Sequence, residues 1–165
     1  MFETILVAIG ANLASTAGQT PLATCQWAAG QLAQMPGLQL RRVSRWFITQ
    51  PVPISDQPRF VNGVAWLSGA KQPDRLLEAL HEIEAGAGRR RGAPNAARTL
   101  DLDLLAMDGL VLAGPGLILP HPRLQDRAFV LAPLHDVRPD WRHPVSGAAV
   151  AALLAAAADQ DVQAL

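Results

Sequence analysis

Apolar residues run almost unbroken over residues 4–9 (Thr-Ile-Leu-Val-Ala-Ile), the pattern of a strand buried on both faces. Gly10-Ala11-Asn12 reads as its end. A helix follows, starting near Ser15 or at Thr20-Pro21, with Thr as N-cap and Pro in the first helical position. Leu22, Cys25, Ala29 and Leu32 share one face of it, and Pro36-Gly37 stops it. Residues 38–48 read as a second strand with Leu38, Leu40 and Val43 inward. The three prolines in residues 49–58 exclude a central strand there and predict a long loop. Residues 60–67 form a third strand, in which Asn62 shares its parity with Phe60, Val64 and Trp66. Pro73 opens a second helix with Leu76, Leu77, Leu80 and Ile83 as its apolar stripe. Gly86 and Gly88 end it.

Residues 98–107 form the central strand. Leu100, Leu102 and Leu104 alternate with Asp101 and Asp103, so the leucines share one face and the aspartates the other. Asp108-Gly109 reads as a hairpin turn into residues 110–112. A short extended piece (117–120), a short helix through Leu131, a proline-rich connection (137–145) and an alanine-rich helix (148–158) complete the chain. No repeat or linker divides it, so residues 1–165 are expected to form one domain. The order β-α-β-β-α-β predicts an α+β, ferredoxin-like sheet with helices on one face, plus a C-terminal hairpin and helices. The other face is then free, and Asn62, Asp101 and Asp103 meet on it.

Composition narrows the function classes. Half the residues are hydrophobic and the formal net charge is zero, so no bulk attraction to nucleic acid or membrane is expected. The charge is unevenly placed. Four of the thirteen arginines lie in residues 89–98, beside the aspartate pair. One cysteine, Cys25, excludes an internal disulfide and a cysteine-based zinc cluster. Its apolar helical setting predicts a buried, inert thiol. The N-terminus lacks a basic region followed by a long apolar run, and a cytoplasmic protein is the default expectation.

Two carboxylates on one pleated face repel each other unless a cation lies between them. A hard metal such as Mg²⁺, which takes oxygen ligands and holds substrate phosphates, suits the pair; a solvated face with scattered charge is the other reading. Glu84 continues the buried row of the second helix and sits in its last turn, where the helix dipole disfavours negative charge. It needs a cationic or ligand partner, or else bends out to solvent.

Three separated segments make the reading specific. They are Asp56-Gln57-Pro58-Arg59-Phe60-Val61-Asn62, Arg98-Thr99-Leu100-Asp101-Leu102-Asp103, and Pro120-His121-Pro122-Arg123 through Arg127-Ala128-Phe129-Val130-Leu131. With the opening Ala8-Ile9-Gly10-Ala11-Asn12-Leu13, they resemble the 6-hydroxymethyl-7,8-dihydropterin pyrophosphokinase family of folate synthesis. The resemblance runs from about Ile5 to Pro139. It implies pyrophosphoryl transfer from ATP to a pterin hydroxymethyl group, with two Mg²⁺ ions held by Asp101 and Asp103 and with Arg89 and Arg98 as catalytic-loop arginines. It implies that Phe60 and Phe129 sandwich the pterin, that Asn62 bonds its polar edge, and that backbone around Thr49, Pro51 and Val52 completes the rim. Glu84, Arg89, Arg98, His121 and Arg127 match positions near ATP. Arg90, Arg91 and Arg123 are assigned to surface or phosphate rim, and His81, His135 and His143 to structure. A monomer is expected, with ATP and pterin as partners and neither nucleic acid nor membrane.

The sequence departs from the family pattern in places. Residues 92–97 run about one residue short, Asn95 replaces a tryptophan of some members, Ala97 a frequent proline, and Pro122 a tyrosine. These changes bear on loop closure and affinity. Three other functions fit fewer residues. An RNA-binding ferredoxin-like module conflicts with two aspartates on the central strand, which repel a phosphate backbone. A relative that binds without turnover has only the altered loop in its favour, and a metal-dependent phosphohydrolase leaves the pterin-slot residues unexplained.

Overall fold

The computed structural model of the chain describes residues 1–15, 17–51, 53–88 and 99–165. β1 (Phe2–Ala11) is an inner strand, as its apolar run requires. It pairs antiparallel with β4 (Phe60–Gly69) on one side and β5 (Asp101–Met107) on the other. β2 (Leu38–Val43) and β3 (Phe47–Thr49) both pair with β4. The strands of the βαββαβ unit thus stand in the order fourth, first, third, second, which is the ferredoxin-like arrangement expected.

Helices α1 (Pro21–Ala33) and α2 (Pro73–Gly86) pack on one face, against Ile5, Val7, Ile9, Leu102 and Leu104. Thr20 is the N-cap of α1, its hydroxyl accepting from Ala23 N–H at 3.2 Å, so the Thr20-Pro21 start is the one used. The second face is not free along its whole length. α3 (Ala128–Val137) and α4 (Val150–Ala156) cover one end, where Leu6, Val64, Leu105 and Ala106 meet Leu131, Leu134 and Val150. Toward the other end the residues on this face become small or polar: Ala8, Gly10, Asn62, Asp101 and Asp103. Helix packing stops there and a cleft opens.

Four local details differ from the periodicity. The predicted strand over 38–48 is broken at residues 44–46. Ser44 Oγ accepts from Val64 N–H at 2.9 Å, and the Trp46 ring lies so close to Gly63 that a Cβ there would sit 2.5 Å from it. A side-chain hydroxyl therefore replaces a ladder bond while an indole crosses a glycine. The turn at Asp108-Gly109 forms, with Asp108 at φ 47, but the next strand does not return along β5. The Asp108 carboxylate accepts from Thr4 N–H at 2.7 Å, and β6 (Leu112–Ala113) pairs instead with β7 (Ile118–Leu119). The helix expected to end at Leu131 continues to Val137, because Leu131, Leu134 and Val137 carry one buried stripe through it; a short 3-10 turn, Leu124–Asp126, precedes it. Finally, β8 (Val162–Ala164), which no pattern announced, adds to the sheet edge beside β3.

Cys25 is fully buried, and burial pushes its thiol up to about 12, as expected of an inert cysteine. His143 is structural, as the sequence suggested. Its Nδ1 accepts from Val145 N–H at 3.2 Å and Ser146 N–H at 3.3 Å, and its ring meets Trp141 edge-on. Burial holds its pKa below the ordinary imidazole value. The folded value lies below the unfolded one of about 6.5, so its contribution is complete above that pH and is lost as pH falls through the folded value. Urea titrations should give constant stability between about pH 7 and 8 and a decline below about pH 6. His143→Ala should lower stability at pH 7 by about 1–2 kcal/mol and flatten that decline.

Candidate active site

The cleft begins with two rows across three strands. Gly10 on β1 stands between Asn62 on β4 and Asp101 on β5, and Ala8 stands between Val64 and Asp103. The middle strand of each row contributes almost no side chain. A methyl group at Gly10 would meet Asn62 Oδ1 at 2.9 Å, closer than real Cβ contacts come, so the glycine makes room for the amide. Asn62, 7% exposed, donates from Nδ2 to Thr49 Oγ1 at 2.8 Å, which fixes its orientation. Phe60, at the start of β4, and Phe129, at the start of α3, both line this cleft. Both rings are half-buried and line open space, so neither is an ordinary core phenylalanine. Thr49 and Pro51, both buried, line the cleft as well. Beyond it, Asn12 ties the end of β1 to the 53–59 loop, donating to Gln57 Oε1 and Pro58 O at 3.1 Å each.

A second cleft lies along the outer side of β5. Its walls are Leu77, His81 and Glu84 of α2 and the turn 114–117, with His121 beside them. Asp101 and Asp103 line both clefts. Each is half-buried, and their shared face is the one the alternation predicted.

Glu84 is buried, 3% exposed, and its Oε2 accepts from the Leu102 N–H at 2.8 Å. Leu102 lies between the two aspartates, on a strand at the edge of the sheet. Glu84 therefore does not bend out to solvent. It satisfies an edge-strand N–H and fixes the backbone that carries the carboxylates.

His121 is set by a β-bulge. The β1–β5 register slips between Leu6 and Val7, opposite Leu105, and the Leu105 carbonyl accepts from His121 N–H at 2.8 Å. His121 Nδ1 accepts from Arg123 N–H at 3.2 Å, so the ring proton of the neutral form is on Nε2. Burial lowers its pKa, Arg127 and Arg123 lower it further, and Asp101 opposes them. At neutral pH the ring is an uncharged donor. The Arg127 guanidinium lies 5.4 Å from the centre of the Phe129 ring at the N-terminus of α3, and both line the first cleft.

The structure thus gathers Thr49, Pro51, Phe60, Asn62, Arg127 and Phe129 around the first cleft. Glu84 and His121 border the second, and Asp101 and Asp103 stand between. Val52, Arg89 and Arg98, with Arg90, Arg91 and the altered residues 92–97, lie outside the described residues. His81, which the sequence reading assigned to structure, lines the second cleft instead. Its spacing of three from Glu84 on one helix was the available signal. The roles of Ala8 and Gly10 as floor had no signal short of the strand pairing. Among the described residues no group of three or more His, Cys, Asp and Glu side chains is placed to hold a metal. No helix among them is long and apolar enough to cross a membrane.

Fold and clefts define a ferredoxin-like α+β domain in which two binding spaces meet at one pair of carboxylates. Residues 6–139 match the family described as 7,8-dihydro-6-hydroxymethylpterin-pyrophosphokinase, or HPPK. A 2-amino-4-hydroxy-6-hydroxymethyldihydropteridine pyrophosphokinase of Pseudomonas aeruginosa is 41% identical over 165 residues, covering 100% of this chain and 98% of that one. A protein of the same name from Synechocystis is 35% identical over 149 residues, covering 90% and 73%. A solved Plasmodium falciparum HPPK-DHPS chain superposes with a TM-score of 0.68 at 11% identity, over 94% of this chain and 45% of that one; at that identity the likeness bears on the fold. The chain belongs to the HPPK family. It is accordingly a transferase of folate synthesis with pyrophosphokinase activity.

Proposed function

We propose that the chain transfers the terminal pyrophosphoryl group of ATP to the hydroxymethyl group of 6-hydroxymethyl-7,8-dihydropterin in a Mg²⁺-dependent reaction. The observation that carries the reading is the wall shared by the two clefts, where Asp101 and Asp103 face both. In this reading the flat heterocycle lies between Phe60 and Phe129. Asn62, with Nδ2 held by Thr49, turns Oδ1 toward the ring's polar edge. The nucleotide lies in the second cleft, with His121 donating from Nε2–H to its phosphates, and the phosphates reach past the shared wall to Arg127, which lines the first.

The donor set suits magnesium. Two carboxylates on one face supply hard oxygen ligands, and Mg²⁺ takes one or two of these beside phosphate oxygens and water. Two ions, both held by Asp101 and Asp103, are the assignment the resemblance implies. Magnesium held by Asp101 and Asp103 would supply neutralisation of the triphosphate charge for an in-line displacement. Glu84 keeps the aspartate-bearing backbone in place, and the phenylalanines hold the hydroxymethyl group toward the shared wall. The pterin hydroxyl oxygen then bonds to the β-phosphorus. The bond from that phosphorus to the oxygen bridging to the α-phosphorus breaks, AMP leaves and the hydroxyl proton passes to water. Arg89 and Arg98 are assigned to the triphosphate and Val52 to the pterin rim on the resemblance alone. Action as a cytoplasmic monomer, without nucleic acid or membrane, completes the proposal; the zero net charge supports its nucleic-acid and membrane part.

Gly10→Ala tests the slot. The added methyl displaces the Asn62 amide, and pterin affinity should fall about tenfold, the value of roughly one misplaced buried hydrogen bond. Titration of pterin with ATP held constant reads this, and an unchanged affinity would remove Asn62 from the slot. The reaction is tested by following AMP with ATP, Mg²⁺ and the hydroxymethylpterin each omitted in turn. AMP that forms only when all three are present supports the proposal. ADP or phosphate in its place would assign a phosphohydrolase, and pterin binding without turnover an inactive relative.

A further inference from the structure

Arg127 is the N-cap residue of α3, and no side-chain cap bond accompanies it. Arginine has no acceptor with which to cap, and its charge opposes the positive end of the helix dipole. Phe129, the second residue of the helix, depends on the same helix end for its position over the first cleft. The first N–H groups of a helix need an external acceptor. Here it comes from the C-terminal segment. Gln160 Oε1 accepts from Ala128 N–H at 2.9 Å, and Gln160 Nε2 donates to the Asp126 carbonyl at 2.8 Å. One side-chain amide thus holds the backbone on both sides of Arg127. The segment bearing Gln160 continues as β8, whose Val162 pairs with Thr49, the residue that orients Asn62. Leu165 N–H donates to the Trp46 carbonyl at 2.9 Å and closes the edge.

We propose that Gln160 is a positioning residue of the active site: its amide clamps the peptides flanking Arg127, and with β8 it ties the Phe129 wall of the pterin slot to the Thr49 wall. The family match ends at residue 139, so this contribution comes from outside it. The inference rests on the proposed assignment of Phe129 to the pterin.

Two variants test it. In Gln160→Ala the pterin dissociation constant should rise about fivefold, the loss of roughly one exposed hydrogen-bonded contact, with kcat at saturation retained. The Ala128 amide should lose its hydrogen-exchange protection. Gln160→Glu separates capping from clamping. Its carboxylate still accepts from Ala128 N–H and complements the helix dipole, so the melting temperature should recover. It cannot donate to the Asp126 carbonyl, so affinity for the uncharged pterin should stay low. If Gln160→Ala fails to fold, Gln160→Glu carries the test alone. His143→Ala serves as the control, since it destabilises a turn that lines neither cleft. Wild-type pterin affinity in both Gln160 variants would overturn the proposal, as would an equal loss in His143→Ala at matched melting temperature. A wild-type chain that makes AMP while the variants bind normally removes the clamp alone; a wild-type chain that makes none removes the reading of the reaction, whatever Ala128 exchange shows.

Discussion

Replacing Asp103 with alanine is expected to reduce kcat at least about a thousandfold, the several kcal/mol that metal-assisted charge stabilisation supplies to phosphoryl transfer. The melting temperature should stay within about 2 °C of the parent, because a half-buried side chain that lines open clefts adds little to the packed core. Asp101 and Asp103 lie on one face of β5, on the wall both clefts share. A cation bound at that wall would draw on both carboxylates at once. Removing one member leaves a single carboxylate to hold the proposed metal. Turnover under saturating Mg²⁺ and both substrates, with thermal melts in parallel, checks both halves of the expectation. Normal turnover would exclude the metal role. A collapsed melting temperature would mean that the carboxylate supports the fold.

Phe129→Ala is expected to weaken pterin binding about 10- to 100-fold, the range for removing one aromatic face from a stacked base. The KM for ATP should change far less. Phe129 is half-buried and borders the second core only at its edge, unlike Leu131 and Leu134, which are fully buried in it. Truncation therefore removes a wall of the slot without opening a large cavity, and stability should fall less than for a buried leucine, where the loss is about 2–5 kcal/mol. Arg127, whose guanidinium lies over the same ring, loses its platform and moves somewhat, which sets the small ATP effect. Calorimetric titration of pterin beside ATP kinetics separates the two. Equal losses for both ligands would point to unfolding of the α3 N-terminus.

Legibility in the sequence followed the range of the interactions. The alternation Leu100-Asp101-Leu102-Asp103-Leu104 is a property of one strand, and the structure keeps it residue for residue: leucines on the α1–α2 side, aspartates on the other. Thr20 as N-cap and Cys25 as a buried thiol are equally local. Where two segments compete for one backbone group, the pattern misleads. Residues 38–48 look continuous until Ser44 Oγ takes the Val64 N–H, and Asp108-Gly109 looks like a hairpin until Asp108 takes the Thr4 N–H. Glu84 shows the middle case. Its sequence position signals an unsatisfied carboxylate on a buried stripe, but that an edge-strand amide between two aspartates answers it needs β5 beside α2.

The sequence by itself determined the α+β order, the face each strand turns inward, the family, and the carboxylates and aromatics of the candidate site, because period, turn chemistry and motif are written along the chain. Tertiary structure decided where the second sheet face stays open, that Asp101 and Asp103 divide two clefts, that Gly10 and Ala8 are their floor, and that Gln160 reaches the peptides around Arg127. Those features depend on residues more than thirty apart meeting across strands and helices. Such pairings are fixed by packing and by the requirement that each buried N–H find an acceptor, neither of which leaves a period in the sequence.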